Sequence, residues 1–207
     1  MQKDLFNGSN CSGEIVNLPD GQYRYFPNFF DKEIADKWFN ILIDSKHIDW
    51  QQEQMKMFGK MLKFPRLTAW YGDEGKVYSY AGLTFHPNDW TPTLMNIKSI
   101  IEPICNTSFN SVLLNLYRDG NDSMSWHADC EKELGKNPII ASVNLGASRV
   151  FQMRHNHTKQ KESILLEHGS LFIMQGQMQH FWSHQLPKRK NISQARINLT
   201  FRKIILT

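Results

Sequence analysis

Cysteine is scarce in this chain of 207 residues: Cys11, Cys105 and Cys130 are an odd number, and no two of them form a CxxC pair. That excludes a disulfide framework and a thiolate zinc site, and it fits a reducing cytoplasm. Long hydrophobic runs are missing too. No stretch approaches the roughly 18 apolar residues of a membrane span, and the opening MQKDLFNGSNCSGE lacks the apolar segment of a secretory leader. The expectation is a soluble, cytoplasmic protein with no membrane partner. Nor does one sign of charge dominate: 24 Lys and Arg face 20 Asp and Glu, a formal +4 that permits a polyanionic partner without requiring one. Internal repeats and low-complexity linkers are also absent, which disfavours solenoids, coiled coils and a divided chain.

What is present is enough apolar material for one core. Hydrophobic residues make up 41% and aromatic residues 12% of the chain, leaving aromatics over for exposed stacking surfaces. Residues 1–13, rich in Asn, Ser and Gly, read as a flexible tail, and 14–207 as a single domain. From Asp31 the apolar positions Ile34, Trp38, Ile41 and Leu42 recur at helical spacing, with Asp31 as N-cap and an end near Ser45. Thr91-Pro92 opens a second helix that buries Leu94, Ile97 and Ile101, with Pro103 expected to disturb its last turn. After residue 110 the apolar period changes to two. Short runs at 111–117, 139–145, 149–153, 163–166, 170–174, 179–184 and 195–205 give a β-rich half. The expected fold class is α+β, mainly β: a barrel or double-sheet jelly roll backed by the two N-terminal helices.

Two of these strands carry polar residues on one whole face. In 111–117, Val112, Leu114 and Leu116 oppose Leu113, Asn115 and Tyr117; in 195–203, Ile197, Leu199 and Phe201 oppose Arg196, Asn198, Thr200 and Arg202. An edge strand with its polar side in water would give the same pattern. His127 and Asp129 stand two apart, so an imidazole and a carboxylate reach one point from one face of an extended segment. With a second histidine they would make the facial 2-His-1-carboxylate set of a non-haem Fe(II) oxygenase. His168, His180 and His184 are the candidates, and His180 and His184 share parity on the expected strand 179–184. His155 and His157, beside Lys159 and Lys161, read as surface residues of a loop.

The segments NLYRDGNDSMSWHADCE (115–131), HGSLFIMQGQMQHFWSHQLPKRK (168–190) and ARINLTFRK (195–203) resemble the AlkB family of iron- and 2-oxoglutarate-dependent nucleic-acid dioxygenases, in particular the branch of the second and third human AlkB homologues. Upstream, KMFGKMLKFPRLTAWYGDEGKVYSYAGL (56–83) resembles that branch's nucleotide-recognition region, so the likeness spans most of 25–205. It implies a double-stranded β-helix core over about 110–205 and a nucleotide-recognition region over about 50–85. It further implies that His127, Asp129 and His184 hold Fe(II), and that Asn115, Tyr117, Arg196, Asn198, Thr200 and Arg202 line a pocket for 2-oxoglutarate, which is consumed with O2. Arg196 with Tyr117 is expected at the far carboxylate and Arg202 nearer the metal, since a dianion in a desolvated pocket needs guanidinium donors.

The activity implied is oxidative demethylation of bases such as 1-methyladenine and 3-methylcytosine in DNA, single- or double-stranded, or in RNA, releasing formaldehyde, succinate and CO2. A base must be flipped out to be reached. Phe58, between Met57 and Gly59 with Lys56 and Lys60 alongside, is the expected wedge. Tyr78 and Tyr80, flanking Ser79, would sandwich the base with Arg66 nearby, although a core role would serve these aromatics equally. Glu131 is the candidate acid for a cationic base, and Cys130 departs from the family, whose nearest members carry an acid there. Lys188, Arg189 and Lys190 are solvent-exposed or phosphate-binding. A monomer is expected. The alternatives are an inactive jelly-roll module binding nucleic acid or a small molecule, and an iron oxygenase acting on RNA or protein.

Overall fold

Helical spacing and capping build the two helices that back the fold. Helix α1 (Lys32–Ile43) begins where Asp31 Oδ1 accepts the Ile34 amide at 2.8 Å, and it buries Ala35, Trp38 and Leu42. Such a cap contributes about 1 kcal/mol. Helix α2 (Pro92–Cys105) starts at the Thr91 cap and buries Leu94, Ile97, Ile101 and Cys105. Pro103 lies in its last turn, where a disturbance is expected, and the helix runs past it only to Cys105. The carbonyl that its missing N–H would have bonded belongs to Ser99, on the exposed side of the helix. The helix stops two residues later at Asn106, whose φ of 50° is left-handed and whose amide returns to Glu102 and Pro103.

The structure is a computed structural model that describes residues 13–57, 59–76, 78–80 and 83–205, giving the backbone alone at 55–57, 78–80 and 83–85. The tail expected over 1–13 therefore lies, except for Gly13, outside the described residues. A seven-stranded antiparallel sheet runs in the order β1 (Ile15–Leu18), β2 (Gly21–Phe26), β13 (Ser170–Gln175), β10 (Ile140–Gly146), β15 (Arg196–Arg202), β8 (Ser111–Tyr117) and β5 (Leu67–Gly72). Facing it is a four-stranded sheet of β12 (Lys161–Leu166), β11 (Arg149–His155), β14 (Trp182–Leu186) and β9 (Met124–His127). Two hairpins complete the set: β3 (Gln54–Met57) with β4 (Lys60–Lys63), and β6 (Tyr78–Tyr80) with β7 (Leu83–Phe85). Among the described residues no helix is long and apolar enough to cross a membrane.

The large sheet is apolar on both faces, but unequally. Val112, Leu114, Val143, Leu145, Ile197, Leu199 and Phe201, all at most 1% exposed, pack on α1 and α2. Full burial of each such side chain is worth about 1.5–3 kcal/mol. The opposite face meets the small sheet through Ile140, Phe172 and Met174, joined by Met153, Leu166 and Trp182. Between these apolar clusters the strand positions turn polar, and the site lies there.

One expected strand is partly a helix. Residues 179–184 were expected to be extended, but α3 (Met178–Phe181) winds one turn before β14 starts at Trp182. Gly176, with φ at 67°, and Gln177 end β13 and start that turn, which inserts a helical step where a period of two was expected. His155 also departs from expectation: it is buried, its Nδ1 accepting the amides of His157 and Thr158 while Nε2 faces Asp20 at 3.2 Å. Its loop folds back around the ring, so the neighbouring lysines say little about it.

Candidate active site

Register places the site. Tyr117 pairs with Arg196 and Asn115 with Asn198 across β8 and β15, while Ser142 pairs with Thr200 and Asn144 with Asn198 across β10 and β15. Three adjacent strands thus point their polar positions at the small sheet. The resulting cavity is lined on one side by Asn115, Tyr117, Ser142, Arg196, Asn198, Thr200 and Arg202, and on the other by His127, Asp129 and His184, with Met124, Phe151 and Leu186 as apolar wall. The edge-strand reading of 195–203 fails because β15 is a central strand, and every residue of it is buried.

His127, Asp129 and His184 each offer a ligand atom, and these atoms lie within 4.8 Å of one another. His184 on β14 is directly opposite His127 on β9, with ring centroids 4.2 Å apart. His127 Nδ1 faces the Ser125 carbonyl at 2.8 Å, so that nitrogen carries the proton and Nε2 is the one left to ligate. The Asp129 amide donates to Gln179 Oε1 at 2.9 Å, a buried link from α3 that sequence reading missed. The two other histidine candidates are elsewhere. His180 is exposed on α3, and His168 accepts the Gly146 amide and faces Asp36 on α1.

Electrostatics favours ligand-ready states. Burial, reinforced by His127, pushes His184 down to about 3; burial likewise lowers His127 against the pull of Asp129. Both imidazoles are therefore neutral at pH 7, as a metal requires. Burial alone would raise Asp129, but Arg202, whose Nη2 donates to Asp129 Oδ1 at 2.8 Å, and the two histidines outweigh it and hold the carboxyl below its usual range. A neutral–neutral–anionic set of two nitrogens and one oxygen suits a non-haem Fe(II) with positions left open.

The other end of the cavity suits an anion. Arg196 is 2% exposed; its Nη2 donates to Asn144 Oδ1, its Nε has no partner, and its guanidinium sits 5.4 Å from the centre of the Tyr117 ring. No carboxylate of the described residues pairs with it, and burial, with Arg149 adding to it, draws its pKa down to about 10. An uncompensated cation in a low-dielectric pocket is costly, and a ligand carboxylate would relieve that cost. The residues present thus fit a keto-dicarboxylate.

The expected substrate residues are placed less fully. Arg66 is buried and donates to Asn115 Oδ1 at 2.8 Å, so it braces the pocket wall and does not face an incoming base. Gly59, with φ at 77°, and exposed Lys60 form the turn and first residue of the β3–β4 hairpin, but Phe58 lies outside the described residues. Tyr78, Ser79 and Tyr80 form β6, paired with β7 in the register Tyr78 to Phe85. Cys130 is exposed and Glu131 half-buried, and neither lines the cavity. Lys188, Arg189 and Lys190 are exposed on the loop after β14.

Comparison with known proteins agrees with this geometry. The family model described as 2OG-Fe(II) oxygenase superfamily matches residues 22–202. The alpha-ketoglutarate-dependent dioxygenase alkB homolog 3 of Bos taurus is 40% identical over 203 residues, covering 92% of this chain and 70% of that protein. The DNA oxidative demethylase ALKBH2 of Homo sapiens is 39% identical over 189 residues, covering 86% of this chain and 72% of that protein. The structure of OsALKBH1 shares the fold with a TM-score of 0.61 at 14% identity, covering 92% of this chain and 100% of that one. The chain therefore belongs to the 2OG-Fe(II) oxygenase superfamily and, within it, to the AlkB family. It is an Fe(II)- and 2-oxoglutarate-dependent dioxygenase.

Proposed function

We propose that the protein repairs N-methylated bases in DNA, removing the methyl of 1-methyladenine and 3-methylcytosine, with RNA as a second polymer it accepts. One observation carries the chemistry: a single cavity sets the His127–Asp129–His184 cluster against the buried, acid-free Arg196. The name DNA oxidative demethylase, borne by a relative at 39% identity, supports the choice of substrate.

In this reading His127, Asp129 and His184 hold Fe(II), and Arg196 with Tyr117 takes the far carboxylate of 2-oxoglutarate. Bound together, iron and 2-oxoglutarate supply O2 activation coupled to decarboxylation of the co-substrate to succinate and CO2. The chain's own residues do the rest. Asn115, Asn198 and Thr200 form a hydrogen-bonded row along the pocket floor, Thr200 Oγ1 donating to Asn198 Oδ1 at 2.9 Å. Phe151 and Leu186 keep the metal end dry. Arg202, bonded to Asp129, fixes the carboxylate that ligates and adds positive charge at the keto-acid end.

The two hairpins form the nucleotide-facing part. In this reading Phe58 is the wedge between stacked bases, and Gly59 and Lys60, the turn and first residue of β4, offer a phosphate contact to a flipped nucleotide. Tyr78, Ser79 and Tyr80 offer a stacking strand, Arg66 stiffens the pocket wall through Asn115, and Glu131, with Cys130 between it and Asp129, is the acid for a cationic base. The net charge of +4 suits a polyanion.

The test is mass spectrometry of an oligonucleotide carrying one 1-methyladenine or 3-methylcytosine, as DNA and as RNA, after incubation with protein, Fe(II), ascorbate and 2-oxoglutarate. Loss of the methyl group in wild type but not in Asp129→Ala supports the reading. An unchanged oligonucleotide alongside succinate formation would direct the chemistry to another substrate, and no turnover of any kind would favour a binding module.

A further inference from the structure

On strand β10, between β13 and β15, the alternate positions Ser142 and Asn144 share the cavity side: Ser142 lines the cavity, and Asn144 contacts Arg196, which lines it. Asn144 is 1% exposed and fully engaged. Its Nδ2 donates to the Ser142 carbonyl at 3.1 Å and to the Ser170 carbonyl and Oγ at 3.4 and 3.3 Å, so these acceptors fix the amide nitrogen on that side. The oxygen is thereby turned the other way, to receive Arg196 Nη2 and, at 3.5 Å, Asn198 Nδ2. Ser170 Oγ is itself tied to the Glu167 carbonyl at 2.7 Å, which anchors the far side of the amide in the β13 turn.

The acceptor that orients Arg196 is therefore neutral. A carboxylate in its place would aim the guanidinium equally well but would also cancel its charge, and a buried cation already paired has little left for a ligand's anion. We propose that Asn144 is a positioning residue for the co-substrate: it aims Arg196 into the cavity while leaving the full guanidinium charge to the far carboxylate, and so sets the preference for a dicarboxylic over a monocarboxylic 2-oxo acid. This rests on the reading that Arg196 receives that carboxylate.

The test measures binding, not turnover, by anaerobic calorimetry of the Fe(II)-loaded protein with 2-oxoglutarate and with 2-oxobutyrate, which has the same keto-acid end and no far carboxylate. Wild type is expected to favour 2-oxoglutarate. Asn144→Asp, isosteric with the native residue, is expected to weaken 2-oxoglutarate by about 10- to 100-fold, the worth of one charge-assisted contact, while 2-oxobutyrate stays within about threefold. Asn144→Ala keeps the charge but loses the aim. It is expected to weaken 2-oxoglutarate by only about threefold to tenfold, again sparing 2-oxobutyrate, and it carries the test alone if the aspartate variant does not fold. Equal weakening of both acids, or unchanged 2-oxoglutarate binding in either variant, overturns the proposal. A wild type that does not distinguish the two acids overturns the placement of the carboxylate at Arg196 itself, a separate failure visible before any variant is made.

Discussion

Replacing Arg202 by Met removes the charge from a buried ion pair while keeping a similar side-chain volume. Arg202 Nη2 and Asp129 Oδ1 are 2.8 Å apart, and both side chains are 4% exposed. Left without its guanidinium, the Asp129 carboxylate is a desolvated charge, and breaking such a pair from one side costs about 3–5 kcal/mol. In a chain of this size that lowers the unfolding temperature by roughly 6–20 °C. The loss should be conditional, because a divalent ion at His127, Asp129 and His184 supplies the positive charge that the variant lacks. Calorimetric unfolding of wild type and Arg202→Met, each with chelator and with excess Mn(II), measures both effects. A large gap in chelator that narrows with metal is expected. Equal stability in chelator, or a gap that metal leaves unchanged, would refute this account of the pair.

The metal-free protein should lose stability as pH falls below about 6.5. His184 and His127 bind protons less readily folded than unfolded, so their contribution is whole above the unfolded value of about 6.5 and is lost as pH falls, for His184 with a slope approaching about 1.4 kcal/mol per pH unit on the way toward about 3, and for His127 in the same direction. Unfolding curves from pH 7.5 to 5 check this, and a flat profile contradicts it. Gln179→Leu removes the acceptor of the Asp129 amide, and metal affinity by titration should fall about 10- to 100-fold with the fold intact. An unchanged affinity would mean that Asp129 is placed without it. Gly120→Ala should unfold or displace the loop after β14, because an added Cβ would sit 1.7 Å from the Arg189 carbonyl oxygen. Circular dichroism and proteolysis at Lys188–Lys190 read that displacement, and wild-type behaviour would rule it out.

Much of the site was legible because β-strand parity converts sequence into geometry. Arg196, Asn198, Thr200 and Arg202 read as one polar row, and the cavity confirms that row on a central strand. Parity alone could not say whether the row faced water or a partner sheet, because it does not reveal that β15 pairs with β10 on one side and β8 on the other, nor that the four-stranded sheet covers that face. Ser142 and Asn144 give the same alternating signal inside 139–145, but two small polar residues between Ala141, Val143 and Leu145 are equally a strand with one face in water. The choice between His180 and His184 was beyond parity because the chain there is a helical turn followed by a strand. Gln179 was hidden for the same reason: the turn swings its side chain onto the Asp129 amide across 50 residues of sequence. His155 shows the converse, a polar loop context concealing a ring bound by its own loop's amides.

Coupled product formation tests the central claim most directly. With purified protein, Fe(II), ascorbate, 2-oxoglutarate and a 1-methyladenine oligonucleotide, succinate and formaldehyde should appear in equal amounts, both dependent on the methylated base and both absent in His184→Ala. Succinate without formaldehyde, or formaldehyde that persists in His184→Ala, would contradict an oxidative demethylase built on His127, Asp129 and His184.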